Sequence, residues 1–223
     1  DEDLKQGIGS MAQGLASVTY QQKLGSYADK TARIATLAES IAEQVGLDKT
    51  EARRAAELSK ADLQSRMVGE FPELQGIAGR YYAKAAGESE AVSAAIDEAY
   101  QPRFAGDAIA ASKLGQVLAI AERLDTLAGG FAAGLKPTGN KDPFALRRNA
   151  LGLARTLLEG GLDLPLNDLL SNAVVAQPLQ LSDASAGNVL SFVYDRLRGY
   201  FNDQGFNEQQ FDAVNAVAHD SLP

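Results

Sequence analysis

The chain has 223 residues, is 45% hydrophobic and carries a formal net charge of -8, so it can hold one large domain, or one domain and part of another. It contains no cysteine, which excludes a disulfide framework and a thiolate metal site and fits a reducing compartment. No apolar run approaches the ~20 residues that span a bilayer, no signal-peptide pattern opens the chain, and the acidic total argues against indiscriminate nucleic-acid binding.

The pattern predicts helices from the start, since Ala and Leu dominate and no segment alternates apolar and polar residues for long enough to demand a strand. Residues 1–18 form a weak helix that glycines interrupt. A second helix, over 26–46, ends at Gly46 and buries an apolar stripe. This stripe consists of Ile34, Leu37, Ala38, Ile41 and Val45. A third helix, over 48–69, has Asp48 as N-cap and Glu51 to complete a capping box. Its closely packing face consists of Ala52, Ala55, Ala56, Leu58, Ala61, Leu63 and Met67.

The remaining elements are also predicted to be helical. Short helices occupy 72–87 and 89–100, the second with Ser89 as N-cap. After a loop, the most apolar helix runs over 111–134 and is predicted to be the centre of a bundle. Further helices are predicted over 142–160, 186–205 and 207–221. The looser passage at 162–183, which contains two prolines, is expected to hold a domain boundary.

Residue types that usually mark an enzyme site are scarce. The only histidine, His219, is expected to be an ordinary surface or helix-end residue, so no triad base and no histidine-rich metal site is predicted. Three carboxylates, Asp62, Glu122 and Asp125, lie on two predicted helices. They either converge on a hard cation or, as we favour, face solvent or pair with basic side chains. The candidate partners are Arg66, Arg123 and Lys60.

The stretch KPTGNKDPFALRR, residues 136–148, opens a segment that is basic in an acidic chain. Between residues 136 and 159 the net charge is +3, while the rest of the chain carries -11. The basic residues are Lys136, Lys141, Arg147, Arg148 and Arg155. Arg148 and Arg155 are seven residues apart and share one helix face, which Arg147 widens. The opposite, core-facing stripe consists of Leu146, Ala150, Leu153, Ala154 and Leu157. Because guanidinium groups suit phosphate, the segment either solvates a surface corner or contacts phosphate.

Several separated motifs in one order resemble the β subunit of the bacterial two-subunit glycyl-tRNA synthetase. They are QQKLGSYADKTARI, KADLQSRMVGEFPELQGIAGRYYA, YQPRFAGD, LAIAERLDTLAGGF and KPTGNKDPFALRR. The resemblance runs from about residue 18 to 166. It implies an all-α, HD-like helical bundle over 1–175, followed over 176–223 by a linker and the incomplete start of the C-terminal anticodon-binding region. Because the chain begins with Asp1 rather than Met, we expect an excerpt from a longer polypeptide.

The same resemblance implies a function without a reaction centre in this chain. In the family, a separate α subunit activates glycine with ATP, and the β subunit supplies tRNA binding in the cytoplasm. We therefore expect tRNA(Gly) and the α subunit as partners, no DNA or membrane, no cofactor here and no catalytic residue. The HD metal site needs an adjacent His-Asp pair, which is Ala61-Asp62 here, and a later Asp, which Glu122 replaces. Asp62 and Glu122 are thus degenerate positions, and no metal is expected.

If the chain binds tRNA, most of the affinity must come from phosphate contacts. The first candidates for these contacts are Lys136, Lys141, Arg147, Arg148 and Arg155, and the second are Arg80 and Arg103. Tyr81 and Tyr82 could stack on an exposed base, although we favour burial of both rings. Two alternatives stay open. One is a divergent HD-type metal phosphohydrolase, and the other is a scaffold for assembly with the α subunit.

Overall fold

The computed structural model describes residues 2–179 and 183–217, and it confirms that the protein is all-α. The α-helices of these residues are α1 (Glu2–Gln6), α2 (Ile8–Gly14), α3 (Tyr27–Gln44), α4 (Lys49–Leu58), α5 (Arg66–Glu70), α6 (Ile77–Ala85), α7 (Glu90–Glu98), α8 (Lys113–Ala132), α9 (Leu146–Glu159), α10 (Leu166–Val175), α11 (Asp183–Asp203) and α12 (Glu208–Val217). Short 3-10 helices cover Leu15–Ser17, Ala61–Gln64 and Pro72–Leu74. Strands β1 (Thr19–Gln21) and β2 (Gly25–Ser26) form a small antiparallel pair. None of the described helices is long and apolar enough to cross a membrane.

Two compact units make up the chain, residues 1–122 and residues 123–223, and the division falls inside α8. In the first unit α3 packs against α4, and α6 packs against α7. In the second unit α11 packs against both α9 and α10. The boundary predicted between residues 175 and 176 is inferred from a family resemblance, whereas the two units are defined by packing. That boundary stays a prediction, and so does the HD-like arrangement of the helices.

Local signals set the ends of several helices where the sequence predicts them. Ser26 and Asp29 form a capping box at the start of α3, and Gly46, with φ +72°, follows its end. Asp48 caps α4 by accepting from two backbone N–H groups, at 2.7 and 3.3 Å. Glu51 does not complete a capping box there, because its carboxylate accepts a hydrogen bond from the Ser89 hydroxyl instead.

The single helix predicted over 48–69 is wrong. α4 ends at Leu58, a 3-10 helix follows, and α5 starts after Ser65, which caps it. The alanines of the predicted packing face are buried, but Met67 is 42% exposed. Local periodicity missed the break because Asp62, inside the 3-10 helix, bonds to backbone groups 14 and 17 residues further on.

Glycine also shortens the helix predicted over 72–87. Gly76 adopts φ +85°, and a Cβ atom there would lie only 2.5 Å from the Tyr100 ring. The chain therefore turns sharply at Gly76, and α6 starts at the next residue. Ser89 caps α7 as predicted, through a hydrogen bond from the Val92 N–H group.

Helices α8 and α9 bury the residues that the sequence predicts, and α10 is an additional helix that the sequence did not predict. Residues 117–121 of α8 are each at most 1% exposed. The stripe predicted on α9 is buried throughout. α10 lies inside the passage predicted to be loose, because Pro165 immediately precedes that helix rather than interrupting it. His219 lies outside the described residues.

Candidate nucleic-acid interface

The basic stretch, residues 136–148, folds into a braced loop that leads into α9. Thr138 and Lys141 form an antiparallel bridge, with backbone hydrogen bonds of 3.1 and 2.9 Å. Asp142 then accepts hydrogen bonds from two backbone N–H groups in the first turn of α9, at 2.8 and 3.0 Å. The loop is therefore closed by its own backbone and is fixed to the helix that the sequence predicts near Asp142.

Three of the predicted basic side chains are exposed on this braced segment. They are Lys136, Lys141 and Arg148, which we call the basic patch. Arg147 is half-buried, and its Nη2 atom donates to the Gly139 carbonyl oxygen at 2.7 Å. Arg147 thus ties α9 to the loop, while the three residues of the basic patch present their charges to solvent.

Arg155 differs from the other predicted basic residues. It is 8% exposed, and its guanidinium donates to both carboxylate oxygens of Glu159, at 2.6 and 3.2 Å. The Tyr200 ring of α11 lies 5.6 Å from the guanidinium carbon. The hydrogen bonds to Glu159 raise the pKa of Arg155. Arg155 and Arg148 lie on the same face of α9, but α11 packs on α9 over Arg155 and separates Arg155 from the exposed patch.

Arg80 and Arg103, the second-choice candidates, belong to the first unit and contact carboxylates. Arg80 pairs with Glu90 at 3.1 Å and lies 3.9 Å from Asp97. Arg103 donates to the Gln75 carbonyl oxygen at 3.0 Å and to Asp97 at 2.8 Å. Arg80 and Arg103 therefore belong to residues 1–122, whereas the basic patch belongs to residues 123–223.

Asp62, which the resemblance marks as a degenerate HD position, acts as a cap supplied by a distant part of the chain. Its side chain is fully buried, and Oδ2 accepts from the N–H groups of Gly76 and Gly79, at 2.6 and 2.9 Å. These two N–H groups lie at the N-terminus of α6, where no intrahelical acceptor exists. Burial raises the pKa of Asp62, although the two hydrogen bonds oppose that shift. Asp62 therefore orders α6.

Two lysine side chains contact Glu122, the other residue predicted to be a degenerate HD position. The ammonium groups of Lys60 and Lys30 lie 3.2 and 3.6 Å from its Oε1 atom, and both lysines are almost completely buried. Lys60 also contacts the Tyr100 hydroxyl at 3.1 Å. Pairing with one of the candidate basic partners is confirmed for Glu122, which contacts Lys60. Asp62 instead accepts from backbone N–H groups, and Asp125 accepts from the Gln177 amide at 3.0 Å. Within the described residues, no group of three or more carboxylates or histidines is placed to hold a metal ion.

Sequence reasoning missed Lys30, although a signal for it was present. Lys30 lies four residues before Ile34 and therefore falls on the apolar stripe of α3. A lysine on such a stripe is buried with the stripe and needs a partner, which Glu122 provides.

The two adjacent tyrosines of α6 have opposite environments. Tyr82 is 9% exposed and donates a hydrogen bond to Asp3 at 2.9 Å, so its predicted burial is confirmed. Tyr81 is 69% exposed, and its predicted burial is wrong. Residues one position apart on a helix are rotated by 100°, so only one of the two can face the core of this unit.

Comparison with known proteins places these sites in a family context. A family described as "Glycyl-tRNA synthetase beta subunit" matches residues 1–216. The glycine--tRNA ligase beta subunit of Xanthomonas campestris pv. campestris (strain B100) is 64% identical over 229 residues, covering 100% of this chain and 33% of that protein. The corresponding subunit of Xylella fastidiosa (strain 9a5c) is 51% identical and covers 100% of this chain and 35% of its own. That of Methylobacillus flagellatus is 48% identical, with coverages of 97% and 31%. The chain spans about a third of the length of these relatives.

Proposed function

The chain belongs to the glycyl-tRNA synthetase beta subunit family, and we propose that it contributes tRNA binding to the ATP-dependent attachment of glycine to tRNA(Gly). Under this proposal an α subunit is its partner and carries the ATP site and the chemical step. The chain itself supplies no catalytic residue and no cofactor, and it acts in the cytoplasm. The single observation that carries the RNA-binding role is the exposed basic patch on a braced loop in a member of this family.

The geometry of the basic patch favours contact with phosphate over the alternative, in which these residues only solvate a surface corner. Lys136, Lys141 and Arg148 are exposed, and the loop that carries them is fixed by the 138–141 bridge and by Asp142. A fixed loop loses little conformational entropy when it binds, which favours affinity. The local charge of +3 also reverses the sign of the surrounding acidic chain and can attract an anionic backbone.

The test compares tRNA(Gly) binding by the wild-type chain and by the Lys141→Ala, Arg148→Ala double variant, using fluorescence anisotropy over a salt series. Each lost phosphate contact lowers the slope of log affinity against log salt by about one unit, so we expect the slope to fall by about two. Arg147 is left in place because it braces the loop.

The matched control is the Lys5→Ala, Lys49→Ala variant, which removes the same charge from two exposed lysines of the first unit. We expect this control to keep the wild-type slope. Equal slopes in all three proteins would show that the basic patch does not contact phosphate. In that case, loss of α-subunit association upon changes to exposed apolar residues would support the scaffold alternative.

In the phosphohydrolase alternative, Asp62 and Glu122 would belong to the metal site, but both carboxylates already contact other groups of the protein. The Asp62 carboxylate accepts from backbone N–H groups, and Glu122 contacts two lysine ammonium groups. Both carboxylates therefore already have partners within the first unit. Divalent-metal binding with phosphatase turnover would revive that alternative.

A further inference from the structure

Two large aromatic side chains of the first unit are displayed to solvent beside arginines. Tyr81 on α6 is 69% exposed and follows Arg80, and Phe104 in the loop after α7 is 64% exposed and follows Arg103. Rings of this size normally bury most of their surface. Neither ring contributes to the core, so both are available for contact with a ligand.

The turn that carries Phe104 is held rigidly. The Arg103 backbone N–H group donates to the Asp107 carboxylate at 2.7 Å, and the Asp107 N–H group donates to the Phe104 carbonyl oxygen at 3.2 Å. The Arg103 guanidinium is fixed in turn by the Gln75 carbonyl and by Asp97. Phe104 is therefore presented on a closed, braced turn.

Asp97 brings the two aromatic segments together. Its carboxylate lies 3.9 Å from the Arg80 guanidinium and 2.8 Å from that of Arg103. These two arginines directly precede Tyr81 and Phe104 in the chain. Their side chains remain 40% and 27% exposed, and the Arg103 guanidinium lies over the Tyr100 ring, 5.0 Å from its centroid.

From this arrangement we propose that Tyr81 and Phe104 form a stacking surface for unpaired RNA bases, with Arg80 and Arg103 contributing their guanidinium planes. The proposal rests on the proposed function, since it names the part of the RNA that this unit would bind. Aromatic rings and guanidinium planes both stack on bases, whichever base is present. Bases inside a duplex are already stacked, so only single-stranded or looped nucleotides can use such a surface.

The charges around these rings set this surface apart from the basic patch. Arg80 and Arg103 are balanced by Asp97 and Glu90. Binding here therefore depends on stacking more than on release of counterions, and it is expected to be less sensitive to salt than binding at the basic patch. One unit would hold phosphates and the other would hold unpaired bases.

The absence of tryptophan from the chain gives a direct reporter of stacking. Tyr81→Trp and Phe104→Trp each introduce a single tryptophan, and a base stacked on it quenches its emission. The probe is a single-stranded RNA of about six nucleotides, compared with the same sequence in a duplex. We expect the single strand, and not the duplex, to quench both variants. Tyr81→Ala should weaken single-strand binding about fivefold or more.

The control is Phe71→Trp, because Phe71 is also exposed, at 47%, but has no arginine beside it in the chain. RNA binding detected by anisotropy without quenching at positions 81 and 104 would overturn the stacking surface and leave the proposed function standing. Equal quenching at position 71, or a response only to an added protein, would also overturn it. Quenching that persists in the Lys141→Ala, Arg148→Ala background would support the stacking surface even if the basic patch failed its own test. No binding and no quenching at low salt would overturn both.

Discussion

Replacing Asp62 tests whether its buried carboxylate is needed to hold the start of α6. Asp62→Ala leaves the buried N–H groups of Gly76 and Gly79 without their acceptor at the start of α6. An unsatisfied buried donor costs about 1–3 kcal/mol, and loss of a helix cap costs about 0.5–2 kcal/mol. Removing a buried carboxylate returns part of this cost, because desolvation already opposes its charged form. We expect a net loss of about 2–4 kcal/mol in the free energy of unfolding.

The matched control is Asp62→Asn, which keeps an oxygen acceptor at nearly the same position. Its expected loss is about 1 kcal/mol or less, because the two N–H groups stay satisfied. Urea unfolding followed by circular dichroism measures both variants. With a slope of about 1–3 kcal/mol per molar urea, Asp62→Ala should lower the midpoint by about 1 M or more. Equal losses in the two variants, or no loss in either, would refute the capping role.

The pH dependence of the stability difference between wild type and Asp62→Asn gives a second test of Asp62. Burial raises the pKa of Asp62 in the folded protein above its ordinary value of 3.8. A raised carboxyl pKa contributes stability that is present below the unfolded value and is lost as pH rises through the folded value. The difference in stability between wild type and Asp62→Asn should therefore move in favour of the asparagine variant as pH rises above 3.8. A difference that stays constant with pH would show that desolvation does not dominate at this carboxyl group.

Two further predictions concern local features of the chain. Ala145 adopts a left-handed conformation, φ 51° and ψ 39°, which costs a non-glycine residue about 1–2 kcal/mol. Ala145→Gly should therefore raise the thermal midpoint slightly, because relief of strain exceeds the added chain entropy, and Ala145→Val should lower it. Asp29 has a lowered pKa through its hydrogen bonds from the Ser26 N–H group and hydroxyl, so its contribution to stability is present above 3.8 and disappears as pH falls through the folded value. Acid titration by circular dichroism should show a flatter loss for Asp29→Asn, and identical curves would contradict the capping-box argument.

The features that could be predicted from the sequence are those fixed by neighbours within a few residues. Caps at Asp48 and Ser89 depend on donors two or three residues away, so their side-chain chemistry identifies them. The core-facing stripe of α9 follows in the same way from helical periodicity. The basic character of residues 136–148 could also be predicted, because composition separates this stretch from the acidic remainder.

The features that could not be predicted depend on partners far along the chain. Arg155 is covered by Tyr200, 45 residues later, through packing of α11 that no local pattern encodes. The break after α4 depends on backbone groups that Asp62 meets only in the folded unit. Exposure of Tyr81 was missed because two adjacent aromatic residues gave no sign of which one faces the core. In each case tertiary contact overrides local preference.

Glu122 shows how such contacts bear on the choice between functions. Two buried ammonium groups, those of Lys30 and Lys60, lie within 3.6 Å of one of its oxygen atoms. Any divalent cation brought to that oxygen would face the repulsion of both lysines at short range, where a partly buried environment screens charge poorly. Metal-dependent chemistry at this position would therefore require loss of the lysines as well as gain of histidines. In a family named for tRNA synthetase subunits, surface contacts with RNA need neither change, so the proposed function fits the residues as they stand.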